Sequence, residues 1–206
     1  MAARTQDPSP IVTVLGFTVF IWVVFVLDLA IKGIFQYSPS QHLGVRPHEP
    51  WGLVGILTAH FFHAWAGGPP HLLGISFGHI LSNTIALVPL LFFALVECRN
   101  LAWVAFFYSM LGAGTCAWVF SSGNVVHIGI SGVIFGLIGF LIANGILRRS
   151  LGAFVVAVLV LVVFGGALWL VLPSPERPVM SWQMHLGGLI GGLMASWHLR
   201  HEKPKK

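Results

Sequence analysis

Apolar residues run along this chain in blocks of about 20, set apart by short polar punctuation. A bilayer's hydrocarbon core is about 30 Å thick and takes roughly 20 helical residues to cross. Six stretches have that character, at about 11–35, 77–96, 101–120, 131–147, 152–172 and 182–199. Gly112 and Gly114 interrupt the third and Gly165 and Gly166 the fifth. Membrane helices tolerate glycine because their backbone bonds are made within the segment, so the count stands at six. The pattern predicts an all-α, polytopic membrane protein, a six-transmembrane-helix bundle over residues 11–200, between an N-terminal tail (1–10) and a basic C-terminal tail (201–206).

The connection between the first two stretches, residues 36–76, is long and carries five prolines and five histidines (His42, His48, His60, His63, His71). Loops of that length are usually functional or disordered. Inside it, Trp51 to His63 is too apolar for a free loop and too short to span, which predicts a surface-lying or partly inserted helix resting on the bundle at the outer face.

Composition sharpens the class. With 56% hydrophobic and 8% charged residues and a mean hydropathy of +0.87, the chain lacks the polar surface of a soluble domain. If the N-terminus is cytoplasmic, eight of the eleven Lys and Arg fall inside (Arg4, Arg99, Arg148, Arg149, Arg200, Lys203, Lys205, Lys206) and three outside (Lys32, Arg46, Arg177). Both termini are therefore expected in the cytoplasm, and the net charge of +5 follows from topology rather than from a nucleic-acid partner. The first stretch is too long for a signal-peptide core and reads as a retained anchor. A short polar N-terminus without a transit-like segment points to a bacterial plasma membrane. Cys98 and Cys116 lie at different depths and read as small packing residues, not as a disulfide or a zinc site.

Candidate chemistry emerges from depth. The second, fourth and sixth stretches run in the same direction, and each ends at an arginine marking the cytoplasmic edge. Counting back at about 1.5 Å per residue, Ser131 lies about 25 Å from Arg148, His185 about 22 Å from Arg200 and Asn83 about 24 Å from Arg99. His79 is one turn higher. Polar groups at one level within the hydrocarbon zone must face protein or a water-filled cavity, which implies a small wet pocket open to the outside. Gly132 and Gly136 on one helix, and Gly188 and Gly192 on another, form small-xxx-small faces that let two helices approach closely and bring Ser131 towards His185. At its helix start, Ser131 is also surrounded by unpaired N–H groups suited to an oxyanion. Each feature has a plainer reading: the glycines as packing, the serine bonded to a carbonyl, the histidine on a proton or solute path. Their coincidence in depth favours hydrolysis.

These residues resemble the rhomboid family of intramembrane serine proteases, from about Val45 to Trp197. Gly129-Ile130-Ser131-Gly132 is similar to the family's GxSG nucleophile motif. The run from His185 through Gly188 to Gly192 resembles its HxxGxxxG base motif, and His79 to Asn83 its HxxxN motif. The resemblance implies a rhomboid-like bundle and a serine endopeptidase without cofactor or metal. Ser131 would be the nucleophile and His185 the base, with His79, Asn83 and the Ser131 N–H as oxyanion hole. Phe135 stands where members often carry tyrosine and would stack on the imidazole; Gly136 completes the motif. No carboxylate is placed to orient His185, since Asp28 and Glu97 sit near helix ends and Asp28 can pair with Lys32. The implied partners are membrane lipids and transmembrane protein substrates carrying helix-destabilising small residues. The sequence departs from the family in an insertion-like stretch, 64–75, and in lacking a Trp-Arg pair in the first loop. Two further readings stay open, a catalytically silent client-binding protein and a small-solute transporter. His60 and His63 have metal-ligand spacing but read as loop histidines; His71 and His127 have no assigned role.

Overall fold

A computed structural model describes residues 7–65, 71–72, 75–176, 180–198 and 200. The 201–206 tail, most of the 1–10 tail and the middle of the 64–75 stretch lie outside the described residues, as does the side chain of His71.

The architecture is all-α apart from one small hairpin. Helix α1 spans Pro10–Phe35 and starts where Ser9 accepts the Val12 N–H and Pro10 supplies a preset φ. A short α2 (Pro39–Leu43) and α3 (Gly52–Thr58) follow, the latter running into a 3-10 turn at Ala59–Phe61. Strands β1 (His71–Leu72) and β2 (Ile75–Ser76) pair antiparallel, His71 opposite Ser76. Then come α4 (Gly78–Phe120), α5 (Ser131–Leu147), α6 (Leu151–Phe164) with a 3-10 extension at Gly165–Val171, and α7 (Trp182–His198).

Two elements carry detail that the sequence pattern does not. The second and third apolar stretches are joined in one 43-residue run, α4, but a single extended residue, Cys98 (φ −169°, ψ 111°), divides it into two helices, and the break falls between the two stretches as their separation in the sequence implies. The chain doubles back there. His79, on the first leg, and Ala113, on the second, both border the start of α5, whereas a straight helix would hold them about 51 Å apart. The fifth stretch tightens to 3-10 geometry at Gly165, so the glycine pair does change the helix there.

By length and composition, α1, α4 and Leu151–Val171 are long and apolar enough to cross a membrane; α5 and α7, at 17 residues each, are shorter. Helix α5 is the centre of the bundle, buried from Gly132 to Leu141 against α4, α6 and α7. Glycines set these distances. A Cβ on Gly188 would stand 1.8 Å from the Gly132 carbonyl oxygen, and one on Gly192 1.8 Å from that of Gly136. At the other end of α5, Asn144 donates to Glu97 (3.1 Å) and accepts from Ser196 (2.8 Å), tying α4, α5 and α7 together.

Asp28 does not pair with Lys32. It is buried and accepts the Ser40 N–H at 3.0 Å, while the Lys32 ammonium donates to the Gln36 carbonyl. Fixing the start of α2 satisfies a buried carboxylate better than a solvated i+4 pair, worth only a few tenths of a kcal/mol.

Candidate active site

Ser131 is the first residue of α5, and no side chain caps this helix end, so the first-turn N–H groups remain directed at the space before it. The approach to Ser131 is pinned from outside the helix. His127 and Val45 exchange both backbone hydrogen bonds at 2.9 Å, and the Gly129 N–H donates to the Ala59 carbonyl at 3.0 Å. Gly129 itself lies at φ +123°, a conformation that side-chain-bearing residues rarely adopt.

His185, in the first turn of α7, has its Nε2 3.0 Å from Ser131 Oγ. Its Nδ1 is 3.0 Å from the carbonyl oxygen of Leu170, in the 3-10 extension of α6. A carbonyl only accepts, so Nδ1 carries the proton, and in the neutral ring Nε2 is left with a lone pair facing the serine hydroxyl. The Phe135 ring lies parallel to the imidazole, centroids 4.3 Å apart and planes 16° from parallel.

His79 and Asn83 reach the same place from the first leg of α4. A Cβ built on Gly129 would lie 2.8 Å from His79 Nε2 and 3.8 Å from Asn83 Nδ2, so both side chains converge on the backbone just before Ser131. Asn83 is buried, and its Nδ2 has no hydrogen-bond partner among the described residues. An unpaired amide donor held there costs about 1–3 kcal/mol and is suited to an acceptor that arrives with a ligand. His79 Nδ1 accepts the backbone N–H of Ala64 at 3.1 Å.

His60, in the 3-10 turn, and His63, in the segment after it, point inward. Both are almost fully buried: His60 Nε2 lies 3.1 Å from the Ile56 carbonyl, and the His63 ring stands edge-on to His79 with centroids 5.2 Å apart. Burial brings the His60 pKa down to about 4, and burial together with the neighbouring His79 brings that of His63 down to about 3. His127 is lowered to about 4 by burial.

A cavity of about 330 Å³ opens between the loops that lead into α5 and α7, with Ser121, Ser122, His127, Ser174, Trp182 and Gln183 among its walls. His127 and Gln183 precede Ser131 and His185 by four and two residues, so the cavity is walled by the segments that lead into the pair. Ser131 and His185 are not themselves among its walls.

The Leu170 carbonyl and the Ala64 N–H could not be read from sequence, because every residue has a carbonyl and every residue but proline an N–H. The His60-x-x-His63 spacing was visible, but its inward direction was not.

A predominantly apolar bundle of helices, several of membrane-crossing length, defines a helical integral membrane protein. The chain belongs to the rhomboid family, whose rhomboid domain matches residues 50–202. Relatives include uncharacterized proteins of Mycobacterium tuberculosis, 31% identical over 196 residues (91% of this chain and 74% of the relative), and of Mycobacterium leprae, 32% identical over 195 residues (91% and 70%).

Proposed function

We propose that this protein is an intramembrane serine endopeptidase that cuts transmembrane segments of other membrane proteins near the outer face of a bacterial plasma membrane. The observation that carries the reading is the 3.0 Å contact between Ser131 Oγ and a His185 Nε2 whose lone pair is directed at it by the Leu170 carbonyl. His185 takes the Ser131 proton as the oxygen adds to the substrate carbonyl. The resulting oxyanion is met by His79, Asn83 and the Ser131 N–H. His185 then passes its proton to the leaving amine, and the C–N bond breaks to give an acyl-enzyme. Water from the outer cavity, deprotonated by His185, adds to the ester; its C–O bond breaks and Ser131 recovers a proton. Phe135 holds the imidazole plane, and Gly132, Gly136, Gly188 and Gly192 keep α5 and α7 close enough for the pair to meet.

In this reading residues 11–200 form one membrane domain with six crossings, the two legs of α4 crossing separately and both tails cytoplasmic. A helical peptide bond is shielded by its own hydrogen bonds, so substrates carry small, helix-weakening residues near the cut.

The test is cleavage of a reporter transmembrane substrate in liposomes by wild type, Ser131→Ala and His185→Ala. Cleavage by wild type alone, with fluorophosphonate labelling of Ser131, supports the assignment. Equal activity in all three removes it, and a folded wild type that neither cleaves nor labels would point instead to a client-binding role.

A further inference from the structure

The oxyanion-side histidine is useful in only one of its two neutral forms. With the proton on Nε2, the atom nearest Gly129 and the start of α5, His79 offers a donor to negative charge developing beside Ser131. With the proton on Nδ1, the same position presents a lone pair and repels that charge. Among the described residues, no side chain makes this choice. His63 meets it edge-on at 5.2 Å, and neither His63 ring nitrogen has a hydrogen-bond partner among the described residues. The contact that distinguishes the two forms is the Ala64 backbone N–H at 3.1 Å from His79 Nδ1. An amide N–H can only donate, so Nδ1 must accept and the proton of the neutral ring must sit on Nε2.

We propose that the backbone amide of Ala64 is a positioning group for the proposed reaction, locking His79 in its Nε2–H form so that it donates to the oxyanion. The catalytic part of this rests on the protease reading; the tautomer itself does not. The arrangement mirrors the one at His185, where the Leu170 carbonyl imposes the opposite form and leaves Nε2 basic. Two imidazoles facing one reaction centre are thus given opposite roles, acid-like donor and base, by two backbone groups. His63 supports the device from behind: adjacent to Ala64 in sequence and buried, it backs the His79 ring.

The test uses the full chain with ¹⁵N-labelled histidine in micelles or nanodiscs, whose nitrogen shifts separate the Nε2–H from the Nδ1–H form. His79 is assigned by the signal lost in His79→Gln. The wild type is expected to show His79 as Nε2–H; an Nδ1–H wild type overturns the proposal without any mutation. Ala64→Pro, which lacks the N–H, is expected to shift His79 towards Nδ1–H. It should also lower kcat about 10- to 100-fold, part of the full effect of one oxyanion donor, with KM held within about twofold. Ala64→Ser, which keeps the N–H, restores the Nε2–H form. In a His79→Phe background, adding Ala64→Pro should cost no further activity, whereas an equal additional loss there shows a general packing defect and overturns the proposal. If no variant cleaves substrate but the tautomer shift occurs, the positioning of His79 stands and the protease assignment fails.

Discussion

Gly129→Ala concentrates the site's geometry into one methyl group. At φ +123° a side-chain-bearing residue is strained by about 1–3 kcal/mol. The new Cβ would also lie 2.8 Å from His79 Nε2 and 2.9 Å from its Cε1, against the 3.4 Å at which ordinary contact begins. The ring must therefore yield by about half an ångström or more, and it has little room: Ala64 holds Nδ1 and His63 stands against the ring. His79 should move out of line with the oxyanion, and losing one such donor costs about 2.7–4 kcal/mol, or 10²–10³ in rate. Single-turnover cleavage of a reporter transmembrane substrate in liposomes measures this, with thermal unfolding in detergent reporting the strain separately. Gly123→Ala is the matched control, since a Cβ there meets nothing within 4 Å. Cleavage by Gly129→Ala within about threefold of wild type would refute both the placement of His79 and its proposed role.

Other outcomes follow from the same coordinates. Gly188→Ala and Gly192→Ala each drive a Cβ to 1.8 Å from a backbone carbonyl on α5, so each should lower stability by about 1–3 kcal/mol or more, read as a fall in the unfolding midpoint in detergent. Asn83→Leu removes a buried donor that has no partner among the described residues, so activity should drop by 10²-fold or more while the unfolding midpoint holds or rises, a divergence that paired cleavage and melting assays would reveal. His60 and His63 titrate in the folded protein at about 4 and about 3, below the ordinary 6.5. Depressed values favour the neutral rings, so stability is intact above pH 6.5, falls as the pH drops from 6.5 towards the folded values, and levels off below them. Each costs about 1.4 kcal/mol per pH unit, or about 2 kcal/mol apiece between pH 6.5 and pH 5. Melting curves at the two pH values should show this, and His63→Phe should reduce the difference.

The sequence by itself determined the helical, membrane-embedded class, since the length of an apolar block is a local property matched against a fixed bilayer thickness. It also placed α1, α5 and α7 to within a residue or so of their observed ends, and, because rise per residue is constant along a helix, it gave the expectation that Ser131, His185 and Asn83 share one level. The tertiary structure decided what those residues meet. Only the packed bundle brings Ser131 and His185 to 3.0 Å, folds α4 at one extended residue, turns His60 and His63 inward, and gives Asp28 to the Ser40 amide in place of Lys32. The groups that orient the two site histidines are a carbonyl and an amide of the main chain. Carbonyls are common to every residue and amide N–H groups to all but proline, so which of them reaches a given ring depends on the path of the backbone in three dimensions, and no residue type announces it.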